Sequence, residues 1–360
     1  MGAYMPESLP AAYGSLDYSL FMDELIDATA ALEVYVEKIK SSKFRSDWIL
    51  PIIQQKEALA SSALEGTQAT LDGVLINQIT PNHNDKNLNE VVNYLEASAV
   101  GFNRLKRGEF DHELFFEVHR KLLSGNVRSN STIIGEYRSN QNYIGKDNGE
   151  IVYTPPKPEN VRKLMDNLVE YINSDADGLR PLVRVAVIHS QFETIHPFGD
   201  GNGRVGRILI PLYLYAKNQI PTPFFFISEA LERDKHKYYK LLMDTREPQR
   251  WNEWIKFFLE TVSKQCRKYI DIFNQINVLY EKTIKKVCTL IKSSSAVYFV
   301  DAIFKRPIFD SKTIQKETKI SLTTINRCLK ILTENNILFT DGKQRNRHFF
   351  FYDLLTLIRD

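Results

Sequence analysis

The sequence predicts a mainly α protein, and three observations carry that expectation. Apolar residues recur at helical rather than alternating spacing along most of the chain. Strand and turn chemistry is concentrated in isolated stretches, the clearest lying between Gly135 and Pro156. No repeat or low-complexity tract competes with either pattern. The 360 residues exceed one ordinary core and imply two or three domains, and 43% hydrophobic with 25% charged residues is the composition of a globular chain.

Phe21, Leu25, Ala28, Leu32, Tyr35 and Ile39 fit one apolar helical face, and Leu114, Phe115, Val118 and Leu122 fit another. Leu168, Tyr171 and Ile172 continue the pattern, as do Trp254, Phe257, Phe258 and Val262. In "GEYRSNQNYIGKDNGEIVYTPP", Tyr143 and Ile144 are separated from Ile151, Val152 and Tyr153 by a segment containing Asp147-Asn148-Gly149. That is turn chemistry between two short strands, so a β-hairpin is expected, closed by Pro155 and Pro156.

"LVRVAVIHSQFETI" places Leu182, Val185, Ala186, His189 and Phe192 at helical spacing. This buried helix should end at His196, because Pro197 disfavours helical angles in the residue before it. "GDGNG" follows, whose glycines permit positive φ and let an anion approach backbone N–H groups. A second helix is expected from about Gly203, with Val205, Ile208, Leu209 and Leu212 inward and a kink at Pro211. Its N-terminus is an anion site. Arg204 and Arg207, three apart, share its first turn, where cations are disfavoured by about 0.3 to 1 kcal/mol each and so call for an anion. Asp200 suits Mg²⁺, which takes one or two carboxylates plus substrate phosphates. His196 can serve as a general base.

"HPFGDGNGRVGR", His196 to Arg207, resembles the signature H-P-F-x-[DE]-G-N-G-R-x-x-R of the Fic (filamentation induced by cAMP) family at every fixed position. The resemblance extends to the preceding helix, the hairpin and "GEYR". It implies a Fic-type helical bundle with a β-hairpin flap, and transfer of AMP from ATP to a Ser, Thr or Tyr hydroxyl of a protein, with release of pyrophosphate. Carried over, it makes His196 the base and Asp200 the Mg²⁺ ligand. Gly201, Asn202 and Gly203 become the anion hole, Arg204 the β-phosphate ligand and Arg207 the γ-phosphate ligand, with Val205 and Gly206 in the same nucleotide-binding turn. A target protein would add a strand to the flap, residues 141–154. Tyr238 and Tyr239 resemble family residues near the adenine, Tyr239 being the expected nucleotide contact, although adjacent tyrosines on a helix also suit core packing.

Upstream, in "ALASSALEGTQAT", Ser61 and Glu65 are four apart on one helical face and Gly66 is a natural helix stop. By composition alone this is a short helix with a solvated glutamate. Beside the first motif it resembles the family's inhibitory motif [S/T]-x-x-x-E-[G/N], matched by Ser61, Glu65 and Gly66. The resemblance implies that Glu65 pairs with Arg207, occupies the γ-phosphate position and restrains transfer, as in the N-terminally inhibited class. In some members the equivalent glutamate orients a water for AMP removal, so both directions stay open.

Between Lys285 and Asp360 there are 14 Lys and Arg against seven Asp and Glu, while the rest of the chain carries an excess of four acidic residues. Here "DSKTIQKETKISLTTINRCLKILTENNILF" gives a short helix from about Ser311, a break near Lys319-Ile320, and a second helix carrying Ile325, Leu329 and Leu332. A turn at Asp341-Gly342 between apolar strands completes a winged helix-turn-helix. Thr323, Thr324, Asn326, Arg327 and Lys330 should lie on the exposed side of the second helix, with Lys343, Arg345 and Arg347 on the wing. DNA binding through 311–348 and use as a protein-docking or dimerising module remain alternatives.

The expected division is 1–110, an N-terminal helical region with the inhibitory helix; 111–290, the catalytic core with trailing helices; and 291–360, the winged helix. Cys266, Cys288 and Cys328 have no metal-ligand spacing, which suits free thiols, and the start shows no secretion or lipidation signal, so a cytoplasmic location is expected. No membrane partner is expected, and a homodimer is left open. The principal reading is a Mg²⁺-dependent, autoinhibited protein adenylyltransferase using ATP as substrate, itself included among its targets. The alternative is a DNA-binding regulator with the Fic core as nucleotide sensor.

Overall fold

The computed structural model describes residues 2–41, 46–126, 133–145, 149–247 and 250–359. Its α-helices are α1 (Met22–Ser41), α2 (Ser46–Leu64), α3 (Leu71–Asn77), α4 (Lys86–Leu105), α5 (His112–Leu122), α6 (Pro158–Asn173), α7 (Pro181–Ile195) and α8 (Asn202–Ala216). They continue as α9 (Ser228–Arg233), α10 (Lys235–Asp244), α11 (Trp251–Leu290), α12 (Ser295–Lys305), α13 (Ser311–Thr318), α14 (Leu322–Glu334) and α15 (Tyr352–Arg359). The strands are β1 (Ile144–Gly145), β2 (Ile151–Tyr153), β3 (Ile308–Phe309), β4 (Phe339–Thr340) and β5 (Phe349–Phe350). The chain is mainly helical, as its periodicity predicts.

Two compact units share the chain in alternation. The first holds Met1–Glu33, Glu57–Gln68 and Asn89–Gln265; the second holds Val34–Lys56, Ala69–Leu88 and Cys266–Asp360.

In the first unit, α7 is buried at every position from Leu182 to Ile195. A helix with no exposed face is enclosed on all sides, and α6, α8 and α10 pack against it. Pro181 opens α7 at its first turn, where the missing N–H costs nothing, and Pro158 does the same for α6. α5 is capped by the Asp111 carboxylate, which accepts from Leu114 N–H. Trp254 on α11 is fully buried and donates its indole N–H to the Ala186 carbonyl of α7 at 2.9 Å. α8 runs on past Pro211 to Ala216.

The hairpin pairs β1 with β2 antiparallel, Ile144 opposite Tyr153 and Gly145 opposite Ile151. Of the expected turn, Asp147 and Asn148 lie outside the described residues, while Gly149 has the positive φ (82°) that the turn chemistry calls for. A two-stranded hairpin is marginal alone; this one is held by Tyr153, whose hydroxyl donates to Thr194 O at 2.7 Å.

In the second unit, β3, β5 and β4 form an antiparallel sheet in that order, with Phe309 opposite Phe349 and Phe339 opposite Phe350. α13 is capped by Asp310 and stops at Lys319, which is left-handed (φ 58°); α14 is capped by Ser321. Ile314, Ile325, Leu329 and Leu332 are buried, while Thr323, Asn326, Arg327 and Lys330 are exposed and Thr324 is half-buried. Residues 342–347 are exposed between β4 and β5. Among the described residues, no helix is long and apolar enough to cross a membrane.

Candidate active site

The site lies wholly within the first unit, at the junction of α7 and α8. α7 ends because Pro197 pushes His196 out of helical space: His196 has φ 50° and ψ 61°. A non-glycine residue in this left-handed region costs on the order of 1 kcal/mol or more, which surrounding contacts must offset. The loop then closes on itself. Asn202 accepts from Phe198 N–H and donates to Phe198 O, both at 2.8 Å. The Asn202 side chain is therefore tied to the loop at both its oxygen and its nitrogen, and its backbone N–H stays at the helix end for an anion. Gly201 (φ 78°) is the N-cap of α8 and brings no side-chain acceptor to the helix end, so that end keeps the anion-binding character of uncapped N–H groups.

A carboxylate occupies that end. A Cβ on Gly203 would lie 2.3 Å from Glu65 Oε1 and 2.9 Å from Arg207 Nη1. Glycine at 203 is thus what lets the Glu65 carboxylate lie against the first turn of α8. Arg207 Nη2 donates to Glu65 Oε1 at 2.7 Å and to Ser61 O at 2.8 Å, and Nε donates to Ser61 Oγ at 2.8 Å. Ser61 is fully buried and Arg207 is 1% exposed. Burial raises the Glu65 pKa, but the Arg207 charge and hydrogen bond more than offset this and hold it below the usual carboxylate range.

The end of α2 explains how Glu65 reaches there. Gly66 (φ 89°) turns the chain out of the helix, Gly66 N–H donates to Ala63 O at 3.0 Å and Thr67 N–H to Ser62 O at 3.1 Å. This is the paired closing bond of a Schellman end. Leu64 O, left over by that pattern, accepts from Lys235 Nζ (3.0 Å) and Tyr239 Oη (3.2 Å). Tyr239 is 38% exposed, whereas Tyr238 is fully buried, bonded to His189 Nε2 at 2.9 Å and packed on Trp254. The two tyrosines therefore divide: Tyr238 is core and Tyr239 borders the site.

Arg204, 0% exposed, lies 3.3 Å from Glu90 on α4 and 3.8 Å from Asp200. Glu90 also accepts from Thr67 Oγ1, directly after the α2 end. Asp200 is 31% exposed and its Oδ1 accepts from Gly201 N–H at 2.6 Å. A partly exposed carboxylate beside an anion-receiving helix end is a donor set that suits Mg²⁺ shared with phosphates. Val205 is buried, and Gly206 faces Glu193, whose Oε1 would be 2.2 Å from a Cβ there.

Burial sets the protonation of the surrounding groups. It pushes His196 down to about 4 and His119 to about 4, so both rings are neutral near pH 7. Burial also pushes Glu193 up to about 7. His196 Nδ1 is buried. His119 on α5 accepts from Gly135 N–H at Nδ1 (2.9 Å), so its proton is on Nε2, which donates to Asp200 O at 3.0 Å; its ring stacks on Phe198 at 3.9 Å.

The structure thus brings Ser61, Glu65, Gly66, His196, Asp200, Gly201, Asn202, Gly203, Arg204, Arg207 and Tyr239 to one site. Sequence reasoning missed Glu90, Thr67, His119 and Lys235. His119 had a signal, since it shares the apolar face of α5 with Phe115, Val118 and Leu122. Glu90 had none.

A glycine loop between two buried helices, with paired arginines and a carboxylate against the first turn of α8, defines the site of this helical domain. The chain belongs to the Fic/DOC family: residues 109–214 match the Fic/DOC family model and residues 22–103 the Fic/DOC family N-terminal model. It is 29% identical over 201 residues to the protein adenylyltransferase Fic of Drosophila willistoni, covering 53% of this chain and 36% of that protein. The protein of the same name from Nematostella vectensis is 27% identical over 227 residues, covering 61% of this chain and 48% of that protein. The chain therefore matches about a third to a half of the length of these relatives. A Fic family protein from Desulfovibrio desulfuricans has a similar fold, with TM-score 0.62 at 18% identity over 97% of this chain and 98% of that one. A Fic domain containing signaling protein from Bacteroides thetaiotaomicron gives TM-score 0.55 at 20% identity, over 69% of this chain and 97% of that one.

Proposed function

We propose that the chain is a protein adenylyltransferase that moves AMP from ATP to a Ser, Thr or Tyr hydroxyl of a protein, itself included, and is restrained by its own Glu65. The observation that carries this reading is the Glu65 carboxylate set against Gly203 and bonded to Arg207. An anion site filled by a side chain of the same chain is one that an external anion must take over. The relatives that share 27–29% identity are named for this activity.

In this reading the first turn of α8 receives phosphate oxygens, Arg204 holds the leaving pyrophosphate at its β-phosphate, and Arg207 exchanges Glu65 for the γ-phosphate. His196 is neutral and accepts the target hydroxyl's proton as that oxygen attacks the α-phosphorus and the bond to pyrophosphate breaks. Asp200 would hold Mg²⁺, which when bound neutralises phosphate charge. The edge of the hairpin 141–154 takes the target segment as an added strand, with Tyr143 and Ile151 exposed on it. The same reading gives Glu65 a second role, orienting a water for removal of AMP. The division 1–110, 111–290 and 291–360 describes the functional parts, and the free thiols of Cys266, Cys288 and Cys328 suit a cytoplasmic setting.

A second reading concerns 311–348, taken as a winged helix on DNA. It is favoured by the exposed Arg327 and Lys330 on α14 and the exposed Lys343, Arg345 and Arg347 between β4 and β5.

Incubation of the purified chain, its Glu65→Gly variant and its His196→Ala variant with α-labelled ATP and Mg²⁺ tests the enzyme. Label should appear on protein with Glu65→Gly and be lost with His196→Ala. No label on any protein with Glu65 removed would overturn the reading.

A further inference from the structure

The "GEYR" segment ends at Arg138, a 6% exposed arginine that none of the roles above uses. Among the described residues its guanidinium donates only to backbone carbonyls, on three separate segments. Nη1 reaches Asn140 O (3.2 Å) on the chain entering the hairpin, and Nη2 reaches Pro156 O on the chain leaving it. Nε donates to His196 O at 2.8 Å, Nη2 makes a longer contact with Ile195 O at 3.5 Å, and the Arg138 backbone N–H donates to Pro197 O at 2.9 Å. Three consecutive carbonyls around His196, whose backbone is left-handed, are therefore gripped by one residue. The same fork joins both legs of the hairpin. Gln141 adds a bond from Nε2 to Pro155 O at 2.9 Å, and Asn142 one from Nδ2 to Phe198 O at 2.8 Å.

We propose that Arg138 is a positioning residue for adenylyl transfer: it sets the backbone of His196 and fastens both legs of the flap hairpin to it, so that base and target-docking strand form one rigid unit. The planar fork is required, because a lysine ammonium is a point charge on a flexible stem and cannot span three carbonyls in one plane. The consequence is a separation of effects. Donor binding at α8 should survive loss of the fork, whereas the distance between His196 and a hydroxyl presented by the flap should not.

This rests on His196 being the base. The test uses the full chain with Glu65→Gly as parent, and with Arg138→Gln or Arg138→Lys added. AMP incorporation into the protein itself is measured against ATP concentration, and amide hydrogen exchange is followed by mass spectrometry. The expected result is a maximal rate lowered about 100-fold in Arg138→Gln, the scale of a displacement of about 1 Å, with half-saturating ATP within threefold of the parent. Exchange should rise in 140–156 and in 195–198 together. A maximal rate within threefold of the parent, or faster exchange in the hairpin with 195–198 unchanged, would overturn the proposal. If Arg138→Gln melts, Arg138→Lys, which keeps the charge, is read by the same criteria. A parent that incorporates no label refutes the adenylyl-transfer reading instead, and the paired exchange then still decides whether Arg138 couples the two segments.

Discussion

Glu65 and Arg207 are joined at 2.7 Å across the first turn of α8, with the glutamate's carboxylate pressed against Gly203. Phosphate oxygens cannot share that space with it. Glu65→Gly removes the carboxylate and leaves Gly203 and Arg207 in place. The expected outcome is a rise in AMP incorporation on the order of 100-fold, the scale of relieving a misaligned reacting group, measured with α-labelled ATP.

Ser61→Ala tests the same clasp from its other arm. It leaves the buried Arg207 Nε without its Ser61 Oγ acceptor at 2.8 Å, while the Glu65 bond stays. A hydrogen bond to a charged group contributes about 1.5 to 3 kcal/mol. Basal incorporation should rise several-fold, clearly less than for Glu65→Gly, and the melting temperature should fall. An unchanged basal rate with an unchanged melting temperature would show that Ser61 does not hold Arg207.

His196 has its ordinary imidazole pKa lowered to about 4 by burial. The base is therefore already neutral at pH 6, and its share of the rate is lost only as pH falls toward 4. In the Glu65→Gly background the rate should stay level from pH 8 to pH 6, where an unperturbed histidine would lose most of its base form. A midpoint near 6.5 in that profile would contradict the buried, neutral ring.

Stability should also follow pH. His119 and His196 near 4 and His189 near 3 are all held neutral by burial. Between pH 6.5 and those values the unfolded chain binds more protons, so stability is present above 6.5 and lost as pH falls. Glu193, raised by burial to about 7, acts oppositely, since the folded chain keeps its proton up to that pH. His112 is lowered by burial as well and Glu57 is raised by it, so the histidines still outnumber the raised carboxylates and net proton uptake on unfolding is positive, each proton contributing up to about 1.4 kcal/mol per pH unit. Thermal melting should therefore drop between pH 6.5 and pH 5. His189→Gln should flatten the slope, because it removes one titrating ring, whatever its own cost in stability.

For the second unit, duplex DNA binding measured against salt gives a quantitative outcome. Each phosphate contact contributes about 0.9 to the slope of log affinity against log salt. Arg327→Ala combined with Arg345→Ala should lower that slope by about two and weaken binding to all sequences alike. A slope near zero for the parent chain would favour a protein-docking role for 311–348.

The helices, the hairpin and the loop from His196 to Arg207 were legible because their signals are local: periodic apolar residues, a proline after the histidine, glycines beside arginines. Glu65 was legible only through the resemblance, since a lone glutamate before a glycine is ordinary on any helix. Glu90 was invisible. Its proximity to Arg204 spans 114 positions, and it sits among polar residues of α4 that look solvated in sequence. Arg138 was visible as part of "GEYR", but not its carbonyl partners, which exist only once the hairpin closes on the end of α7. The commitment of the Asn202 side chain to Phe198 was hidden for the same reason.

The last turn of α2 has one more implication. Its Leu64 carbonyl is held by Tyr239 and Lys235 on α10, while its Ser61 carbonyl is held by Arg207 on α8. One helix end thus borders both the tyrosine expected near the adenine and the arginine expected at the γ-phosphate. On the adenylyl-transfer reading, nucleotide occupancy and the closed state of that helix end are linked by a single coupling free energy, and linkage is reciprocal. Whatever factor ATP contributes to opening the helix end, any change that loosens the end, such as Lys235→Ala, returns to ATP as affinity.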